Sequence, residues 1–217
     1  MESNTTAKHV SVAEAVDRIA AVQQQIGIRR STLGAISGID GSGKGYLARM
    51  IEGLLRERGF TVAVINLDGW LRLPAERFSS TKPAEHFYAH AFRFEDMFKT
   101  LVVPLRERRR VNVEADFAEE TATTYRRMRY EFADVDIILL EGIYLLKLEY
   151  RDHYDVSLWI DCSFDTALKR AVARAQEGLS PEETIRAYRT IYFPAQELHF
   201  RRDTPREAAM LILENER

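Results

Sequence analysis

A single cysteine, Cys162, leaves the chain unable to close an intramolecular disulfide or build a Cys-rich zinc site, which fits a reducing compartment. No apolar run approaches the ~20 residues that cross a bilayer before a charge interrupts it, and the opening MESNTTAKHV lacks the basic-then-apolar order of a secretion signal. A cytoplasmic protein with no membrane partner is expected. Neither charge dominates: 31 Lys and Arg against 33 Asp and Glu give a net charge of −2, so no global basic field draws the chain to nucleic acid. Repeats and low-complexity tracts are absent. His9, His86, His153 and His199 show no metal-ligand spacing with one another or with Cys162. The 217 residues suffice for one core.

What is present is an alternation of buried-type strands and amphipathic helices. Residues 11–28 place Val12, Ala15, Val16, Ile19, Ala20 and Ile26 on one face, a helix expected to pack outside the main fold, so 1–30 reads as a tail and outer helix and 31–217 as the main domain. Thr32–Ser37 is an apolar strand, a Gly-rich loop follows, and Leu47, Met50, Ile51, Leu54 and Leu55 carry a helix through Arg58. Gly59 stops that helix, and Phe60–Leu67 is β-branched enough for a strand buried on both faces. Residues 69–93 look irregular, 94–110 helical, and Val111–Phe117 alternates as an edge strand. Further strands are expected at Asp134–Leu140, Val156–Asp161 and Ala208–Leu213, with helices near 164–176 and 181–192. This order predicts an α/β parallel sheet with helices on both faces.

Gly38-Ile-Asp40-Gly41-Ser42-Gly43-Lys44-Gly45 lies between a predicted strand and a predicted helix, the context that turns a Gly-rich turn into a phosphate cradle. Backbone N–H groups and the helix N-terminus meet the phosphate oxygens, and Lys44 bridges the β- and γ-phosphates, with Tyr46 at the helix start. ATP and Mg²⁺ are therefore the expected cofactors. Gly45 stands where a Ser or Thr hydroxyl ordinarily meets the magnesium ion, so a water is expected at that coordination position.

Asp68 and Glu141 each follow a predicted strand, so a parallel sheet delivers both to the edge that carries the loop. One carboxylate can accept the proton of an acceptor hydroxyl while the other holds the metal; Asp68 is assigned mainly to the proton and Glu141 mainly to the metal. Arg170 and Arg174 fall one helical turn apart and share a face. Between them and Tyr188, Gln176-Glu-Gly-Leu-Ser-Pro181 is a break that reads as a lid over about 174–190.

Taken together, Gly38–Lys44, Asn66-Leu-Asp68, His90 with Phe94-Glu95, Val111–Phe117, Leu140-Glu-Gly-Ile143, Arg151-Asp152, Ile160-Asp161, Asp165-Thr166, Arg170 with Arg174, and Tyr188 with Pro194 run in the order of the uridine kinase and phosphoribulokinase family, which the chain resembles over residues 32–213. The resemblance implies a nucleoside-kinase-like P-loop NTPase fold and transfer of the γ-phosphoryl group of ATP to a hydroxyl such as the 5′-OH of uridine or cytidine. It casts Asp68 as the catalytic acid, Glu141 as the metal-associated glutamate, and Arg170 and Arg174 as lid arginines that lean on the transferring phosphates. The chain departs from the family where a tyrosine and a histidine would contact a pyrimidine; the nearest residues are Ala115 and Glu120. His90, Phe94 and Tyr125, with Tyr88 and Phe92, either build an acceptor pocket or fill core, and Arg126, with Arg127 and Arg129, either meets an anionic acceptor or forms a solvated face. Acceptors other than nucleosides stay open: a sugar, sugar phosphate, glycerate or pantothenate. So do a nucleotide-binding regulatory module, which Gly45 favours, and a homo-oligomer. No Asn-Lys-x-Asp segment supports a GTPase switch.

Overall fold

The strands that read as apolar on both faces form one parallel sheet. The computed structural model describes residues 8–175 and 178–216, and its strands are β1 (Lys8–His9), β2 (Thr32–Gly38), β3 (Val62–Asn66), β4 (Val111–Phe117), β5 (Arg126–Phe132), β6 (Ile137–Gly142), β7 (Val156–Asp161) and β8 (Leu211–Glu214). Six of them pair in the order β1-β8-β7-β2-β6-β3, every pair parallel. In β6, Ile137 and Leu139 enter one apolar layer while Ile138 and Leu140 enter the other, which is why a central strand shows no hydrophobic alternation.

One layer is roofed by α1 (Val12–Ile26) and α2 (Lys44–Glu57). Ser11 and Glu14 form a reciprocal capping box that starts α1. Ala15, Val16, Ile19 and Ala20 of α1 share their layer with Leu47, Ile51 and Leu55 of α2, and β1 is a strand of the sheet, so the helix foreseen outside the main fold packs within it. Gln23 fixes the join: its Oε1 accepts from the Thr32 N–H and hydroxyl, and its Nε2 donates to Gly27 O. Residues 1–7 of the foreseen tail lie outside the described residues.

On the opposite face, the stretch read as irregular contains the helical turn Pro74–Arg77 and the helix Pro83–His90. The 94–108 stretch is helical as expected, with a π-turn at Phe98–Val102 just before Pro104. Proline has no N–H to return to the preceding turn, and widening the helix there accommodates it. The same device recurs at Tyr188–Tyr192 before Pro194, after which the chain continues as the helix Phe193–Asp203, longer than the segment expected to stop at 192.

Val111–Phe117 is not an edge of the main sheet. It pairs antiparallel with β5 in a separate hairpin, with Asp116 opposite Arg127. Arg127 reaches Asp116 at 2.8 Å, and Arg129 reaches Asn112 at 3.1 Å, so arginines that suggested an anion site serve as cross-strand partners on an exposed face.

Candidate active site

Because β2, β6 and β3 are adjacent and parallel, their carboxyl ends share one sheet edge. The phosphate loop leaves β2 there, Glu141 sits in the last turn of pairing of β6, opposite Asn66 of β3 and Ile36 of β2, and Asp68 lies in the short turn Leu67–Gly69. Asn66 Oδ1 accepts from the Asp68 N–H at 2.6 Å, which sets that turn.

Gly41 and Gly43 have φ of +78° and +83°, a region that favours glycine. Space demands glycine as well: a Cβ on Gly41 would come within 2.5 Å of Ala167 O, and one on Gly43 within 2.4 Å of Asn215 Nδ2. The loop is braced from behind. Arg170 Nη1 donates to Ser42 O at 3.1 Å, Asn215 Nδ2 donates to the same oxygen at 2.7 Å, and Arg170 Nη2 donates to Asn215 O at 2.9 Å. With loop carbonyls held outward, the N–H groups turn inward. The first backward bonds of α2 run from Tyr46 and Leu47 to Gly43 O; the Ser42 N–H is taken by Ile39 O and the Gly41 N–H by Asp40 Oδ1, which leaves the Gly43, Lys44 and Gly45 N–H groups for an anion among the described residues.

Lys44 is buried among three carboxylates, Asp40, Asp68 and Glu141. Burial pushes Asp40 upward, but Lys44, Arg174 and the Tyr188 hydroxyl outweigh it and hold this acid below the usual carboxylate range. Arg174 Nη2 lies 3.5 Å from Asp40 Oδ1. For Asp68, burial prevails over Lys44, and the Asp40 charge adds to it, so its pKa is raised. Burial also raises Glu141, against Lys44 and with the help of the Asp68 charge.

Three cavities meet at Asp68. The phosphate cradle, about 430 Å³, is walled by Lys44, Gly45, Tyr46, Arg49, Glu141 and Arg174. A groove of about 660 Å³ runs between β3 and the hairpin past Phe117, Met128 and Tyr130. A small enclosed space of about 40 Å³ touches Phe87, Phe92, Ile143 and Gln196.

The structure therefore gathers Lys44, Asp40, Asp68, Glu141, Arg170, Arg174 and the loop glycines at one edge. It places the four acceptor-side candidates elsewhere: His90, Phe94, Tyr125 and Arg126 are absent from the walls of those three cavities. His90 is exposed and tilted against His86. Phe94 is buried and stacks on Tyr150, following the helical period that turns it to the core. Tyr125 lies under the Arg93 guanidinium with its hydroxyl toward Glu76, and Arg126 pairs with Glu119 over the Phe117 ring. Arg170 donates to the Gly41 and Ser42 carbonyls of the loop, a bracing role that its i, i+4 spacing with Arg174 did not disclose. Asn215 and Gln196 went unnoticed; Asn215 was open to the strand-end argument that found Asp68. The foreseen lid includes Gln176 and Glu177, which lie outside the described residues.

Hard oxygen donors suit magnesium, and Glu141 and Asp68 supply two beside the cradle. A Cβ on Gly45 would lie 3.6 Å from a Glu141 oxygen, so the acid stands next to the space left by the missing hydroxyl. Among the described residues no group of three or more His, Cys, Asp or Glu gathers as a metal cage.

These features define an α/β P-loop NTPase fold. No family model matches the sequence. Among solved structures the chain is similar to a protein from Bacillus stearothermophilus provisionally assigned as a uridine kinase, at 22% identity over 92% of this chain and 99% of that one, with a TM-score of 0.68. It is similar to a provisionally assigned fructose transport system kinase from Silicibacter at 20% identity, covering 94% and 98%, TM-score 0.72. The D-glycerate 3-kinase of Cryptococcus neoformans shares 13% identity over 86% and 87%, TM-score 0.61. No described helix is long and apolar enough to cross a membrane.

Proposed function

We propose that the protein is an ATP-dependent kinase that transfers the γ-phosphoryl group to a hydroxyl of a small molecule, a nucleoside such as uridine or cytidine being the foremost acceptor, in the cytoplasm. The observation that carries this reading is Asp68, which lines the phosphate cradle and both neighbouring cavities, so one carboxylate faces donor and acceptor together.

In the proposed reaction the loop N–H groups and Lys44 hold the β- and γ-phosphates. The acceptor hydroxyl gives its proton to Asp68, its oxygen bonds to the γ-phosphorus, and the bond from that phosphorus to the β–γ bridging oxygen breaks to release ADP. Burial raises the proton affinity of Asp68, which is the direction a general base needs. Arg174 is placed to follow charge on the moving group, while Arg170 keeps the loop in shape. Magnesium, when bound through Glu141 and Asp68, would neutralise phosphate charge.

The test is ADP release from ATP and magnesium across a panel of nucleosides, sugars, glycerate, pantothenate and sugar phosphates. Turnover with one acceptor, abolished in Lys44→Ala, supports the reading; ATP binding without turnover on any acceptor would turn it toward a regulatory module.

A further inference from the structure

Gln196 is a buried polar residue at the site whose amide is left without partners among the described residues. It sits on the Phe193–Asp203 helix with 1% exposure, lines the small cavity shared with Asp68, Asp40 and Lys44, and neither its Oε1 nor its Nε2 has a hydrogen-bond partner among the described residues. An amide buried among Phe87, Phe92 and Ile143 without partners is costly to maintain, so a group that both donates and accepts belongs opposite it. The helix is anchored against drift: one turn on, His199 Nδ1 meets Asp203 Oδ2 at 2.6 Å, and Asp203 also receives the Tyr88 hydroxyl and the Leu148 N–H. That network holds the amide in place.

We propose that the Gln196 amide binds a second hydroxyl of the phosphoryl acceptor while Asp68 takes the first, which makes the acceptor a neutral polyol. The inference rests on the kinase reading above. A hydroxyl matches an amide because each both donates and accepts, and the apolar walls of this small space, Phe87, Phe92 and Ile143, suit the carbons that carry it. Charge argues the same way. Asp40, Asp68 and Glu120 all border this cavity, and once Lys44 is engaged by ATP, an acceptor carboxylate or phosphate would face those three acids with Arg174 as the remaining cation on the wall. The ribose of a nucleoside and a free pentose or hexose present the same diol; the larger groove past Phe117 and Tyr130 decides whether a base accompanies it.

The experiment measures binding by calorimetry to the protein saturated with a nonhydrolysable ATP analogue. The probes are uridine, cytidine, D-ribose and D-fructose, their mono-deoxy analogues, and D-glycerate and ribulose 5-phosphate as anions. A neutral polyol is expected to bind and the anions are not. Gln196→Met, which keeps the volume and breaks no hydrogen bond, is expected to melt no lower than the wild type, to bind the ATP analogue within twofold, and to bind the polyol about ten- to a hundredfold more weakly. One deoxy analogue should lose affinity for the wild type by that same factor and lose nothing further in Gln196→Met; Gln196→Leu repeats the cycle if the Met variant does not fold. Equal penalties for every deoxy analogue in both proteins would overturn the proposal, as would binding of the anions alone or of no polyol. Failure of the ATP analogue to bind at all would instead sink the kinase reading.

Discussion

A Cβ on Gly45 would stand 3.6 Å from a carboxylate oxygen of Glu141, and Gly45 carries no positive φ that would forbid one. Gly45→Ser should therefore fold unchanged and add a hydroxyl beside Glu141. The magnesium concentration that half-saturates ATP binding is expected to fall several-fold, read by calorimetric titration at fixed ATP. An unchanged value would mean that Glu141 and water already complete the ion's shell.

Lys44 is the buried cation on which the cradle's three carboxylates converge. Lys44→Ala should weaken ATP by about 1.5–3 kcal/mol, about ten- to a hundredfold, the loss typical of a charged hydrogen bond. Direct binding assays decide this, and intact affinity would show that the loop is no phosphate cradle.

Asp68→Asn keeps shape but cannot accept a proton. ATP should still bind, while transfer falls about 10²- to 10⁴-fold. The pH profile adds a second check. Burial raises the Asp68 pKa, so activity should decline as pH falls through that raised value, where the base becomes protonated, and the residual rate of the Asn variant should lack that acidic limb. Turnover within a few-fold of wild type would make Asp68 a bystander.

Asp203 should govern acid stability. Burial alone would raise its pKa, but bonds from His199, Tyr88 and the Leu148 N–H bring it to about 2. Since the folded pKa lies below the unfolded value of about 3.9, the carboxylate stabilises the fold above about pH 4 and loses that contribution as pH falls toward 2. Melting temperatures of wild type and Asp203→Asn should differ at pH 6 and converge near pH 2. A gap that stays constant with pH would assign the effect to packing.

The central strands and the loop were legible because their signals are local: runs such as Ile137–Leu140 need no partner to be recognised, and glycines that must take positive φ announce themselves before a lysine. Asp68 and Glu141 followed from the parallel order. The hairpin was half missed because β5, Arg126–Phe132, is largely polar, and its identity as a strand lies in its pairing with Val111–Phe117. Phe94 and Tyr125 could not be sorted into pocket or core, since aromatic spacing looks alike in both until the 94–108 stretch is seen against Tyr150. Gln196 looked like any helical glutamine; burial gives it meaning.

Asn215 supports Ser42 across 173 positions of sequence, and Arg170 joins both. The loop's binding shape is thus a property of the assembled sheet rather than of the glycines that spell it. During synthesis the motif emerges early, yet its rear brace arrives with β8 and the residue after it. A chain made only as far as the motif would carry it without this brace, so nucleotide capture waits for β8, and bound ATP would in turn hold β8 in place.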